Sequence, residues 1–401
     1  MDPTVHELVD LLLRWLHLIA GIMWIGNSLL FNWLDRNLVM PKDPKPGLVG
    51  EIWMVHSGGF YQVEKKFLPP SGMPAVLHWF KWQSYTTWMS GFALLWAVYY
   101  LGGGSAFLVD PQVANISHTT AVGIGLGAVL GTFAVYDLIW RSPLRKNEAL
   151  AGALCLAILA GEIFALTHLL SGRAAYIHVG ALLGTCMSGN VFFHIIPSQR
   201  ELVKATIEGR EQDPRYGAHA KQRSIHNNYI TFPVLFIMLS NHFAGTYGSS
   251  LNWAILMVLM VGGALVRHFM NIRFTFQRWL PALAASFIAA SAGALFLMTR
   301  TSAVAAVAPP VPGEHIAFSS VQIVLQQRCL PCHSATPKDD QWKVAPNGIM
   351  FDRPEQVKMY SERIKARAVI SKTMPLGNKT GMTQDERDLL ARWFLAGATV
   401  E

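Results

Sequence analysis

Eight apolar stretches, each long enough to cross a bilayer, crowd the first three quarters of the chain: 8–34, 82–101, 118–140, 149–169, 175–197, 228–247, 251–270 and 280–299. About 20 such residues span the hydrocarbon as a helix, and a backbone without internal hydrogen bonds is not tolerated there. The pattern predicts an all-α fold, an eight-helix transmembrane bundle. Charge agrees with it. Lys, Arg, Asp and Glu are 14% of 401 residues, against about a quarter in soluble proteins, which excludes a conventional soluble enzyme and a disordered chain. The deficit is also uneven, since residues 313–401 hold 22 of the 58 charges. The chain therefore divides into a membrane domain at 1–300, a linker rich in Ala, Val and Pro at 301–312, and a soluble domain at 313–401.

The basic residues orient the bundle. Segments 35–81, 141–148, 199–226 and 267–279 carry eighteen of them, and the opposite ends only Arg14, Arg173 and Arg300. Lys and Arg favour the cytoplasmic side, so both termini are expected in the periplasm of a bacterial inner membrane. The formal charge of +8 then belongs to cytoplasmic loops and does not point to nucleic acid. Met1–Asp10 lacks the basic start of a cleaved signal peptide.

The soluble domain carries the sharpest chemical motif. Cys329-Leu-Pro-Cys332-His333 has the CxxCH spacing of a covalently attached c-type haem, two thiols for the vinyl groups and an imidazole for the iron. A zinc site would need two more ligands, and His315 is the only other histidine in this domain. The second axial ligand is expected to be a thioether. Met350, Met359, Met374 and Met382 are candidates; Met374 is chosen because Pro375 stiffens the loop that would present it. Thr383-Gln-Asp-Glu386 reads as a capping box opening a last helix. The expected fold is a class I cytochrome c-like domain on the periplasmic side, where haem c is attached.

Six histidines lie in or at the ends of the apolar stretches: His17, His168, His178, His194, His242 and His268. Intramembrane ionisable residues are costly and default to functional hypotheses, although an interfacial histidine is often only hydrogen-bonded. Four fall in the outer leaflet, which suggests a haem b held by two of them, with His17 and His178 preferred and His242 as substitute. Glu162 is a candidate proton carrier or ion-pair partner.

A faint internal repeat relates the first two helices to the fifth and sixth. Trp24-Ile-Gly26-Asn27 parallels Met187-Ser-Gly189-Asn190, and Gln83-Ser-Tyr85-Thr-Thr87-Trp88 parallels Asn227-Asn-Tyr229-Ile-Thr231-Phe232. The copies share an orientation, as in a 4+4 parallel repeat. Asn27, Tyr85, Thr87, Asn190, Tyr229 and Thr231 all fall toward the cytoplasmic side. They are candidate substrate-binding residues for a planar hydrogen-bonding ligand, the plainer alternative being interhelical polar contacts. Lys81 and Arg267 are candidate cations, and Trp24 and Tyr85 candidate stacking partners.

His17-x6-Trp24-x-Gly26 resembles the first-helix motif of CopD-like and HemJ-like membrane proteins, where the histidine binds haem b. The whole chain resembles the membrane-bound, cytochrome c-linked urate oxidase family (urate hydroxylase, PuuD-type). The matching stretches are Arg14-Trp-Leu-His17, His56-Ser-Gly-Gly-Phe-Tyr61, Trp79-Phe-Lys-Trp-Gln-Ser-Tyr-Thr-Thr-Trp88, His194-Ile-Ile-Pro-Ser-Gln199, His226-Asn-Asn-Tyr-Ile-Thr-Phe-Pro-Val-Leu235 and Ser240-Asn-His242. The resemblance implies oxidation of urate to 5-hydroxyisourate with water as the oxygen source. Electrons would pass through a membrane haem to haem c and on to a soluble cytochrome or a terminal oxidase. Residues alone leave two other classes open: a quinol-to-cytochrome electron-transfer protein, and a transporter with a fused cytochrome.

Overall fold

The computed structural model describes residues 3–101, 105–300 and 316–400; the linker expected at 301–312 lies outside them. The chain opens with α1 (Pro3–Asn37). An antiparallel hairpin follows, β1 (Leu48–His56) and β2 (Gly59–Lys66), pairing His56 with Gly59 and Trp53 with Gln62. Its two-residue turn, Ser57-Gly58, has φ of +50° and +76°, the type I′ geometry that matches strand twist. The hairpin lies within a loop expected only to carry charge, and sequence reading did not find it.

The helical body continues with α2 (Trp82–Leu95), α3 (Ser105–Leu108), α4 (His118–Arg141), α5 (Glu148–Leu169), α6 (Gly172–Asn190) and α7 (Ile196–Ile207). It is completed by α8 (Pro214–Ser240), α9 (Ala244–Tyr247), α10 (Asn252–Asn271) and α11 (Trp279–Arg300). Local chemistry sets the starts of several. Ser117, Asn147, Ser171 and Asp213 each accept from a backbone N–H of the first turn of α4, α5, α6 and α8, satisfying donors that have no intrahelical partner. Pro214 occupies the first turn of α8, where its missing N–H costs nothing.

Among the described residues six helices are long and apolar enough to cross a membrane: α1, α4, α5, α6 with its continuation to Ile207, α10 and α11. The other two expected spans, 82–101 and 228–247, are also helical, but their polar side chains keep them out of that class. α1 and α11 turn Leu11, Leu18, Ile22, Phe287, Ile288 and Leu295 outward, each more than 60% exposed. That apolar area would be unfavourable in water and is suited to lipid. The central helix is α6, where Ala175, Tyr176, Val179 and Leu182 are completely buried. Around it pack α2, α4, α5 and α8.

The helical period breaks at two places. α2 ends in a π turn, Trp96–Tyr100, and α6 passes into α7 through another, Val191–Ile195. Pro197 comes just after the second and cannot donate to the ladder. Single π turns recur at functional sites because they re-aim side chains.

The C-terminal residues build a separate core from α12 (Phe318–Arg328), α13 (Pro354–Met359), α14 (Ser361–Ile364) and α15 (Gln384–Leu395). Val321, Leu325, Val357, Met382, Leu390 and Trp393 fill it. The capping box is present, with Thr383 Oγ1 accepting from Glu386 N and Glu386 accepting from Thr383 N.

Candidate active site

The basic loops after α4 and α7 mark one end of the bundle, and there α4, α6 and α8 enclose a polar cluster. Arg223 of α8 has no solvent exposure. Its Nη2 donates to Asp137 Oδ1 at 2.9 Å and its Nη1 to Asn190 Oδ1 at 3.4 Å. Its Nε is buried without an acceptor. The guanidinium also lies 5.1 Å from the Tyr136 ring centre. Asn190 Nδ2 donates to Tyr136 Oη and to Asn227 Oδ1, both at 2.9 Å, and Asn227 Nδ2 donates to the Met187 carbonyl. Tyr136 Oη also meets His226 Nδ1 at 2.7 Å.

A histidine chain leads from the cluster toward the loops. His194 Nε2 donates to Asp137 Oδ1 at 2.5 Å, so its Nδ1 is the acceptor and His219 Nε2 donates to it at 3.0 Å. His194 is presented by the π turn after α6. The carboxylate of Asp137 is further paired with Arg141 at 2.6 Å. A buried cation, two amides, a phenol and a carboxylate–imidazole–imidazole series thus converge within a few side chains. Such a set can orient a planar, anionic, hydrogen-bonding molecule and pass protons stepwise.

Of the six expected substrate-binding residues, Asn190 alone lies at the centre of this cluster. Thr231 Oγ1 bonds back to the Asn227 carbonyl at 2.8 Å, and Thr87 Oγ1 to the Gln83 carbonyl at 2.6 Å. Both hydroxyls thus serve their own helices. Tyr229 Oη meets His268 Nδ1 at 2.8 Å on another face of α8. Beside it Arg267, 4% exposed, donates from Nε to Asn228 Oδ1 at 2.9 Å. Tyr85 packs edge-on against Trp82 and Phe192, Lys81 lies over Trp82, and Asn27 and Trp24 are half-buried on α1. Glu162 lines a cavity of about 380 Å³ between α4 and α5 with Gly127, Gly131 and Thr132.

Sequence reasoning missed Arg223, Asp137, Tyr136, His219 and His226. The apolar run begins only at 228, which places Arg223 and His219 in a loop, whereas α8 starts at Pro214 and carries them into the bundle. Asp137 is hidden inside an apolar stretch. The available signal was a lone carboxylate in one helix and an arginine a few residues before the apolar run of another.

The outer histidines are not gathered at one point. His17 Nδ1 donates to the Thr87 carbonyl at 2.9 Å and lies 3.1 Å from Ser90 Oγ, an arrangement that leaves Nε2 open. His178 is completely buried, and its Nδ1 donates to the Ala174 carbonyl at 2.7 Å. That fixes Nε2 as the acceptor, and Tyr100 Oη donates to it at 2.7 Å. A Cβ on Gly125 would fall 2.5 Å from the same Nε2; only glycine fits there. His17 thus sits beside Ser90 of α2 and His178 beside Tyr100 of its π turn. His242 is exposed just beyond α8, and His168 is exposed and bonded to the Phe164 carbonyl.

In the C-terminal domain Cys329 and Cys332 are free thiols. Burial pushes Cys329 up to about 12 and Cys332 up to about 11. His333 Nδ1 donates to the Ile349 carbonyl at 2.9 Å, so its Nε2 carries the lone pair. Burial lowers its pKa and keeps the imidazole neutral, against a smaller opposing effect of that bond. Met374 is anchored at both backbone atoms: its N–H donates to the Arg367 carbonyl at 3.0 Å and its carbonyl accepts from Arg387 Nη1 at 2.8 Å. Met350 is half-buried, whereas Met359 is 74% exposed and Met382, at 1%, is packed in the core.

Residues 3–299 match the family model described as urate oxidase N-terminal. No curated protein and no solved structure matches the chain.

Proposed function

The chain therefore belongs to the urate oxidase N-terminal family, and from that premise we propose that it is a membrane-bound oxidoreductase converting urate to 5-hydroxyisourate, with water as the oxygen source. The reaction balances as urate plus water giving 5-hydroxyisourate, two protons and two electrons. The observation that carries the reading is the buried Arg223–Asp137–His194 series beside Asn190. A buried arginine with an unfilled Nε donor suits an anionic purine, and the two amides and the Tyr136 phenol match its ring of donors and acceptors. Asp137, His194 and His219 form the path by which the released protons reach the loops.

The eight-span topology belongs to the same proposal. α2 and α8 complete the six apolar helices, with their polar side chains turned to the protein interior rather than to lipid. The termini are periplasmic and the membrane is the bacterial inner membrane.

The C-terminal residues fit a covalently attached haem c. Two unpaired thiols flank a neutral imidazole whose tautomer is set by a backbone carbonyl, the kind of supporting bond that orients metal-ligating histidines. Cys329 and Cys332 would hold it, and His333 and Met374 are the side chains that could ligate its iron; bound there, it would supply one-electron chemistry toward a soluble cytochrome or terminal oxidase. A haem b shared by His17 and His178 does not fit the bonds that His178 makes, and no step is derived through one. His17 keeps the open Nε2 that a membrane cofactor would require.

The deciding experiment is anaerobic mixing of the purified, haem-loaded protein with urate while the haem c absorbance is followed. Reduction in step with 5-hydroxyisourate formation is the expected result. No reduction by urate, together with rapid reduction by a quinol, would replace the proposal with a quinol-to-cytochrome function. Uptake of urate into vesicles without haem reduction would point to a transporter.

A further inference from the structure

A row of aromatic rings runs along α2 and out of the bundle. Trp88 and Phe92 are 5.2 Å apart, Phe92 and Trp96 6.4 Å, and Trp96 and Tyr100 5.4 Å, centre to centre. Tyr100 and Tyr99 both face His178, at 5.7 and 5.9 Å. Tyr99 then meets Phe107 of α3 at 6.4 Å, and Phe107 meets Trp342 of the C-terminal domain at 6.3 Å. None of this depends on the polar cluster; the row begins on the other side of α6 and ends in the other domain.

The two domains are fitted closely where the row crosses. Gly377 lies so near α3 that an added Cβ would clash with the Ala106 carbonyl. A Cβ on Gly248 would fall 2.6 Å from Thr373 Cγ2 and 2.8 Å from Ser371 Cβ. Arg367 Nη1 donates to Tyr247 Oη at 3.5 Å. Every one of these contacts involves the loop at 371–377 that contains Met374, or the π turn Lys365–Ile370 that follows α14 and anchors it. They all lie at the end of the bundle opposite the basic loops.

Both rings at the crossing are held. Phe107 has the Arg173 guanidinium 4.9 Å from its ring centre, and its carbonyl accepts from Ser171 Oγ. The Trp342 backbone N–H donates to Asp339 Oδ1, and Asp339 is paired with Lys379 at 2.8 Å. The backbone N–H groups of Lys338 and Asp339 both donate to the Pro331 carbonyl, inside the Cys329–His333 loop. Trp342 is therefore tied through Asp339 to the segment that would carry the haem.

We propose that the Phe107–Trp342 contact is the electron exit of the membrane domain. The C-terminal domain docks through the Met374 loop, and electrons leave along the rings around His178. This rests on the reading that electrons from urate reach a haem c at Cys329, Cys332 and His333. One electron crosses at a time, urate or its one-electron product being oxidised and the ferric haem reduced to ferrous. The rings form a tunnelling bridge and are not themselves oxidised, so no bond or proton changes along them. The two protons of the reaction leave separately, at the opposite end.

The test uses the full haem-loaded chain. Phe107→Leu and Trp342→Leu are each expected to slow urate-driven haem reduction by an order of magnitude or more. The haem spectrum, its midpoint potential and its direct reduction by ascorbate stay unchanged, and Phe107→Tyr restores the rate. Separately, Gly248→Cys combined with Ser371→Cys is expected to give a disulfide-linked peptide under mild oxidation: the two β-carbons would lie 2.8 Å apart, and a loop shift of about 1 Å brings them to bridging distance. Unchanged rates in both leucine variants overturn the route, and absence of the linked peptide overturns the docking. If urate fails to reduce the haem of the unaltered protein, the proposed function falls. The same variants driven by a quinol then decide the route alone: slowed reduction upholds it and unslowed reduction removes it.

Discussion

The guanidinium of Arg223 and the carboxylate of Asp137 form an ion pair inside the bundle, 2.9 Å apart, with the arginine fully shielded from solvent. Taking Asp137 away strands the buried arginine, at a cost of about 3–5 kcal/mol; taking Arg223 away costs less, because Asp137 keeps Arg141. Arg223→Gln and Asp137→Asn are each expected to lower the melting temperature in detergent and to abolish urate-driven haem reduction. Removing both charges together separates the two effects. The double variant is expected to recover most of the stability and none of the activity, because the cation that meets the substrate is still missing. Recovery of activity in the double variant would reduce Arg223 to a structural role.

His194 stands between Asp137 and His219, with both ring nitrogens committed. A group that moves protons acts on turnover more than on binding. His194→Asn is expected to lower kcat by about 10²–10⁴-fold, the usual worth of positioned acid–base catalysis, with KM nearly unchanged. His219→Gln, nearer the loops, is expected to do less and to be partly rescued by added imidazole. Steady-state kinetics on both variants check this, and an effect confined to KM would contradict it.

The sequence conveyed what depends on composition and tight spacing. Apolar runs announced helices, and the capping box from Thr383 to Glu386 announced the start of the last one, because both signals are local. Contacts that depend on which helix faces meet were not legible. Asn190 was found, but its partners Tyr136, Asn227 and Arg223 come from helices separated by tens of residues. Arg223 in particular looks like a loop cation until α8 is seen to begin nine residues before it. His17 and His178 looked paired because the repeat offsets them by two residues, yet the π turn at Trp96–Tyr100 turns Tyr100 onto His178 and takes its free nitrogen.

Met374 and Met382 offer a contrast within one domain. Met374 is half-buried, in a loop fixed by Arg367 and Arg387, whereas Met382 is packed among apolar side chains at 1% exposure. Thioether ligation raises a haem potential. Met374→Leu is expected to retain covalently attached haem, seen by haem staining of the denatured chain, and to lower the midpoint potential in a redox titration. Met382→Leu conserves volume, which costs under about 1.5 kcal/mol, and should leave the potential unchanged. If the Met382 variant shifts the potential and the Met374 variant does not, the axial assignment is wrong.

Acid is expected to loosen the same domain through Glu386. Burial works against its charged form, but the bonds from Arg328 and from Thr383 N–H together outweigh burial, and the pKa is lowered. A carboxyl depressed in the folded state adds stability that is fully present above its unfolded value, near 4.3. That contribution is lost as pH falls through the lower folded value, because the unfolded chain then binds the proton more readily. The melting temperature of the C-terminal domain, followed by haem absorbance, should therefore decline below about pH 4.3. Arg328 also holds the Thr380 carbonyl, so Arg328→Gln is expected to lower the melting temperature at neutral pH and to flatten its acid dependence. An acid slope as steep in this variant as in the unaltered protein would move the cause to another carboxylate, such as Asp339 on Lys379.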